Sequence, residues 1–122
     1  MNSRLRGRRI LVVEDEDMLA QCLSETLQDN GAVVVGPAGR LADAMTLVDA
    51  DHALEAVILD VNLAGESAYP LADRLIDRGV PLLLTSGYDR SSTPARYADV
   101  AYCTKPFGTA QVVQALASLL PA

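Results

Sequence analysis

An α/β fold, with a parallel sheet sandwiched between two layers of helices, is predicted for this chain by two observations. Five short apolar runs recur along it, and between them lie segments whose apolar residues repeat at helical rather than strand spacing. The runs are "ILVV" (10–13), "AVVVG" (32–36), "AVILD" (56–60), "VPLLLT" (80–85) and "VAYCT" (100–104). The first four are unbroken and aliphatic, as strands covered on both faces are. The fifth is shorter and mixed.

The intervening segments are read as helices. Leu19, Cys22, Leu23, Thr26 and Leu27 make one stripe ending near Asn30-Gly31. Leu41, Ala44, Met45 and Val48 make a second. Leu71, Leu75 and Ile76 make a third, closed by Gly79 ahead of Pro81. Val112, Ala115, Leu116 and Leu119 make the last, with Thr109 as its expected N-cap. Between Asp89 and Asp99 the sequence "DRSSTPARYAD" has Pro94 at its middle and little apolar periodicity, so a helix there is expected to be short or frayed. Alternation of this kind gives right-handed crossovers and a ligand crevice beyond the carboxyl ends of the strands.

With 122 residues the chain fits one domain, expected from residue 9 onward. Residues 1–8 form a basic leader, with Arg9 just behind it, and its charge run is expected to be solvated. The net charge of −6 argues against a non-specific nucleic-acid binder. Cys22 and Cys103 have no metal-ligand spacing and are expected to be buried free thiols, consistent with a soluble cytoplasmic protein. Neither a signal peptide nor a membrane span is legible.

The strand ends carry the chemistry. After the first strand comes Glu14-Asp15-Glu16-Asp17; the third ends on Asp60, followed by Val61-Asn62; the fourth ends on Thr85-Ser86-Gly87; the fifth ends on Thr104-Lys105-Pro106. Acids ahead of a helix can simply complement its dipole, and an aspartate ending a strand can simply form a turn. Taken together, Glu14, Asp15 and Asp60 at one crevice would repel one another without a cation, and hard oxygen ligands suit Mg²⁺. Lys105 is the sole lysine beside nine arginines. A slim ammonium acts as a movable point charge where a guanidinium fork does not. His52 is the only histidine and is expected in a solvated loop, which excludes a histidine-based catalytic pair. The turn Gly36-Pro37-Ala38-Gly39 lacks the spacing of a nucleotide-phosphate loop.

Four pieces, "ILVVEDE", "AVILDVNL", "PLLLTSG" and "YCTKPF", one per strand end and in order, resemble a response-regulator receiver domain of bacterial two-component signalling, from about Arg9 to Leu120. The resemblance implies a flavodoxin-like five-stranded sheet of order 2-1-3-4-5. It makes Asp60 the phosphoacceptor, attacking a phosphohistidine to form an acyl phosphate. Asp15, Asp60 and the backbone carbonyl of Asn62 would hold Mg²⁺, or Mn²⁺ in its place, with Glu14 acting through a water. Lys105 would pair with a phosphoryl oxygen, and Pro106 would orient its loop through a cis bond. Ser86, five residues beyond Pro81, would be the switch hydroxyl, with Thr85 auxiliary, and Tyr102 the switch aromatic. Donors would be a sensor histidine kinase or a histidine phosphotransfer protein. The output would be an unidentified protein partner, with no enzymatic activity beyond the domain's own phosphorylation and dephosphorylation.

The chain also departs from the common pattern. "VNLAGESAYP" replaces the usual proline-glycine turn after Asp60 and is expected to reshape that loop. Ser86-Gly87-Tyr88 with a weak fourth helix is similar to a single-domain subgroup carrying Thr-Gly-Tyr, for which residues 88–99 are expected to be loosely ordered before phosphorylation. Tyr88, near the crevice mouth, would slow water attack on the acyl phosphate. Two other readings are kept: a pseudo-receiver that only binds partners, and a Mg²⁺-dependent aspartyl phosphatase using the Asp15-Glu16-Asp17 spacing.

Overall fold

A computed structural model describes residues 2–121. Its central sheet comprises β1 (Arg9–Val13), β2 (Val33–Ala38), β3 (Ala56–Asp60), β6 (Leu82–Ser86) and β7 (Ala101–Thr104), all parallel, in the order β2-β1-β3-β6-β7. Numbered among these five strands alone, that is 2-1-3-4-5, the flavodoxin-like order. The helices are α1 (Asp17–Asp29), α2 (Leu41–Ala50), α3 (Tyr69–Asp77) and α4 (Thr109–Leu119).

Strand alternation divides the core in two. Leu11, Val13, Val57, Leu59 and Leu84 point to the face covered by Leu41, Ala44 and Val48 of α2 and Leu71, Ala72 and Leu75 of α3. Ile10, Val12, Ala56, Ile58 and Leu83 point to the face covered by Leu23 and Leu27 of α1 and Val112, Val113 and Leu116 of α4. Strands with both faces covered can be uninterrupted aliphatic runs, which β1, β3 and β6 are. β2 is different, because it lies at the sheet edge with Val33 44% exposed. Its pairing with β1 slips between Leu11 and Val13. Gly36 there has φ +85°, and a Cβ would come within 2.9 Å of the Ala38 nitrogen.

Several expectations are corrected. In α1 the buried stripe is Ala20, Leu23 and Leu27; Cys22 lies about 100° round from Leu23 and is exposed, while Cys103 is buried. In α3 Ala72 occupies the core and Ile76 is 42% exposed. Gly108, not Thr109, is the N-cap residue of α4, and Thr109 is already helical. The basic segment is not a free solvated leader. Leu5 is fully buried against the α1/α4 face, Arg8 pairs with Glu55 at 2.6 Å, and Arg4 donates to the Ala117 carbonyl. One leucine among four arginines is enough to pin the segment, because its apolar burial outweighs the cost of ordering arginines whose heads stay wet.

Two elements carry no periodic signal. A two-stranded antiparallel hairpin, β4 (Asn62–Leu63) with β5 (Glu66–Ser67), fills the reshaped loop after Asp60. Residues 88–99 form two 3-10 turns, Arg90–Ser92 and Ala95–Tyr97, in place of an α-helix. Tyr97 holds them down: it is 1% exposed and stacks on Tyr69 with ring centroids 4.9 Å apart, and its hydroxyl donates to Asp73. Arg96 lies over the Tyr97 ring, and Arg90 donates to the carbonyls of Ala98 and Val100. A single aromatic anchor replaces the apolar stripe that a helix would need.

Two outcomes follow. Leu5→Ala is expected to lower stability by roughly 2–4 kcal/mol in denaturant unfolding, whereas a solvated leader would lose almost nothing. Tyr97→Ala is expected to raise amide exchange across residues 88–100 while leaving β1 and β3 protected; unchanged exchange there would contradict the anchor.

Candidate functional site

The ends of β1, β3, β6 and β7 meet at the carboxyl edge of the sheet, where a crevice opens because the crossovers leave β1 in opposite directions. Asp60 terminates β3, Glu14 and Asp15 follow β1, Ser86 terminates β6 and Lys105 follows β7. The cleft has a volume of about 530 Å³ and is lined by Asp15, Glu16, Asp60, Asn62, Ser86, Tyr88 and Lys105 together with the hairpin tip and Gly87.

Lys105 is the hub. Its Nζ lies 2.9 Å from Asp60 Oδ2, 3.0 Å from Glu16 Oε2, and 3.0 Å and 3.2 Å from the two oxygens of Glu14, with hydrogen-bond geometry to Oε2. Burial works against its charge, but the hydrogen bonds it donates to Asp60, Glu16 and Glu14 hold its pKa above the ordinary lysine value. Glu14 is 2% exposed and Asp60 4%. Burial pushes the Glu14 carboxyl up to about 7, with Asp60 adding to the rise and the Glu16 amide and Lys105 opposing it.

Backbone amides aim the other oxygens. The Asn62 amide donates to Asp60 Oδ1 at 3.1 Å, and the Glu16 amide to Glu14 Oε2 at 3.1 Å. The hairpin tip reaches across to Asp15: the Ala64 amide donates to its Oδ2 at 3.0 Å. Ala64 itself has φ +53°, and the tip is braced by the Gly65 amide donating to Asn62 Oδ1 at 2.8 Å. One oxygen from each of Glu14, Asp15 and Asp60 lies within 4.8 Å of the others. Hard carboxylates at that spacing, partly open to the cleft, fit a divalent cation of the Mg²⁺ or Mn²⁺ kind.

The hydroxyls are sorted by the strand's alternation. Ser86 lines the cleft and its Oγ accepts from the Tyr88 amide at 3.0 Å. Thr85 is buried, its hydroxyl has no hydrogen-bond partner among the described residues, and it is not part of the cleft wall. Tyr102 is half-buried and donates through its hydroxyl to the Tyr88 carbonyl at 2.7 Å, with Arg90 5.6 Å from its ring centre. Tyr88 itself is 66% exposed at the cleft mouth. The Lys105–Pro106 bond is cis, and the Lys105 amide donates to the Ser86 carbonyl at 2.6 Å. His52 is exposed in the turn before β3, away from the cleft. Two cleft elements carried no sequence signal of their role: the Glu16 side chain on Lys105, and the Ala64 amide on Asp15. Both depend on tertiary approach across the crevice.

A doubly wound five-stranded sheet with this acid, hydroxyl and lysine set at its carboxyl edge is the architecture of a signalling receiver. The chain belongs to the response regulator receiver domain family of two-component signalling, whose model matches residues 10–117. It is similar to SdrG from Sphingomonas melonis Fr1, with 36% identity, TM-score 0.79, and coverage of 96% of this chain and 98% of that one. A BeF3-activated conformation of SdrG is similar at 35% identity and TM-score 0.77, over 93% of this chain and 96% of that one. Among curated proteins it is 27% identical over 113 residues to the transcriptional regulatory protein PdtaR of Mycobacterium tuberculosis, covering 89% of this chain and 55% of that protein. It is 30% identical over 115 residues to the sensory transduction protein LytT of Bacillus subtilis, covering 88% and 46%. The chain thus spans about half the length of the curated relatives it matches. Among the described residues no helix is long and apolar enough to cross a membrane.

The raised Glu14 pKa has a stability consequence. Between the ordinary carboxylate range and pH 7 the folded state holds a proton there that the unfolded chain has released, so stability falls as pH rises through that window. In metal-free buffer the loss between pH 5 and pH 8 is expected to be roughly 1–3 kcal/mol by denaturant unfolding. Glu14→Gln should flatten it; an unchanged slope in that variant would assign the dependence elsewhere.

Proposed function

We propose that this domain accepts a phosphoryl group on Asp60 from a phosphohistidine and relays the event to a protein partner. The observation that carries this reading is the position of Asp60: a nearly buried carboxylate with Lys105 Nζ 2.9 Å from one oxygen and the Asn62 amide on the other, beside Glu14 and Asp15. In the transfer, an Asp60 oxygen bonds to phosphorus as the phosphorus–nitrogen bond breaks, and the histidine ring leaves with the bonding pair. The product is an acyl phosphate. Asp15, Asp60 and the Asn62 carbonyl would hold Mg²⁺, with Glu14 reaching it through water; when bound, the ion neutralises charge on the attacking carboxylate and the moving phosphoryl oxygens. Lys105 neutralises a phosphoryl oxygen from the opposite side of the cleft. The domain modifies itself and turns over no separate substrate.

The readout starts at Ser86. Its hydroxyl can donate to a phosphoryl oxygen, and moving toward one gives up the bond from the Tyr88 amide. Tyr88 also holds Tyr102 through its carbonyl, so one backbone unit ties hydroxyl to aromatic, and loss of the first bond releases the second. The 3-10 segment beside them gives the change a surface to act on. The donor is a sensor histidine kinase or histidine phosphotransfer protein, and the reading places the domain in the cytoplasm. That SdrG, 35% identical to this chain, has been solved in a BeF3-activated conformation supports this reading. Asp17, which the phosphatase reading requires, opens α1 and lines a separate groove with Ser24 and Gln28, outside the acid cluster.

The test is intact-mass measurement after incubation with Mg²⁺ and acetyl phosphate. One phosphoryl adduct is expected in the wild type and in Asp17→Ala, and none in Asp60→Ala; an adduct lost in Asp17→Ala and kept in Asp60→Ala would overturn the reading. Under the same conditions Ser86→Ala should still gain the adduct, yet show no change in amide exchange over residues 88–102 when it does.

A further inference from the structure

Lys105 has three N–H donors, and three carboxylates occupy them. The three are not equivalent. Asp60 and Glu14 are buried, and each is fixed by a backbone amide. The Glu16 side chain is 62% exposed, lies outside the acid cluster suited to a cation, and makes no capping bond although Glu16 is the N-cap residue of α1. Neither the fold nor a metal ion needs its carboxylate. Its carboxylate accepts from Lys105.

A phosphoryl group on Asp60 presents a fourth acceptor to an ammonium with no donor to spare. One carboxylate has to let go, and Glu16 is the least firmly held. Its charge also remains at the cleft wall, where it repels a phosphoryl group carrying nearly two negative charges. We infer, on the basis of the phosphoacceptor reading above, that Glu16 is a positioning residue that competes with the phosphoryl group for Lys105 and so weakens the domain's hold on it. Glu16 acts through the lysine and touches no reacting atom. Its exposure limits the effect, because a wet ion pair contributes little and salt screens it.

The experiment compares wild type, Glu16→Gln and Asp29→Asn. The last makes the same change in net charge at the far end of α1. Each is titrated with beryllofluoride in saturating Mg²⁺ at low and at high ionic strength, and each is phosphorylated with acetyl phosphate. Glu16→Gln is expected to bind beryllofluoride about two- to five-fold more tightly at low salt, with the gain shrinking at high salt, while Asp29→Asn matches the wild type. A salt-dependent gain confined to Glu16→Gln is something a purely structural role would not produce. Equal or weaker binding by Glu16→Gln, in a wild type that does gain its phosphoryl group on Asp60, overturns this inference alone. A wild type that never gains one overturns the functional reading, and this inference with it.

Discussion

The structure turns on one ammonium held among buried carboxylates. Asp60 and Glu14 are almost completely removed from water, where an unpaired charge is costly. Lys105 supplies the cation from a strand two places away in the sheet from Asp60's and three from Glu14's. The arrangement is still short of positive charge, because one lysine faces three acids while a fourth, Asp15, is steadied by an amide alone. That deficit suits the cleft to a divalent ion and, on the proposed reading, to a phosphoryl group beside it. Burial, with Asp60 adding to it, makes Glu14 reluctant to ionise, so charge in this cleft is poised rather than locked.

Everything else in the molecule serves to bring four strand ends to one place. The sheet is rigid because both faces are packed with aliphatic side chains, and its parallel register puts Asp60 opposite Thr85 and Ser86 opposite Thr104. The functional groups begin where the apolar runs stop. At the opposite end of the sheet the basic N-terminal segment closes the α1/α4 core through Leu5 and ties its arginines to acids and to the last carbonyls of the chain. Stability and chemistry are therefore separated by the length of the strands.

The third region is residues 88–100, which form 3-10 turns instead of a helix. It is attached through few contacts: Tyr97 to α3, Arg90 to backbone carbonyls and to the Tyr102 ring, and Tyr88 to both Ser86 and Tyr102. Polar and aromatic contacts of this number can be exchanged as a set, unlike an interdigitated apolar interface.

Sequence alone determined the sheet, the four regular helices and the chemistry-bearing residues at the strand ends, because buried strands must be aliphatic and amphipathic helices must repeat. It also pointed to Lys105, since a lone lysine in a chain of arginines stands out, and the resemblance to receivers favoured Ser86 over Thr85. Only the tertiary structure decided which oxygens meet that lysine. Glu14 and Glu16 are alike in sequence, yet one is buried in the cleft and the other rides its rim. Ala20 rather than Cys22 faces the core, Leu5 is buried among arginines, and one tyrosine anchors a segment without periodicity. For Leu5 and Tyr97 long-range packing settles the matter, and no local repeat records it.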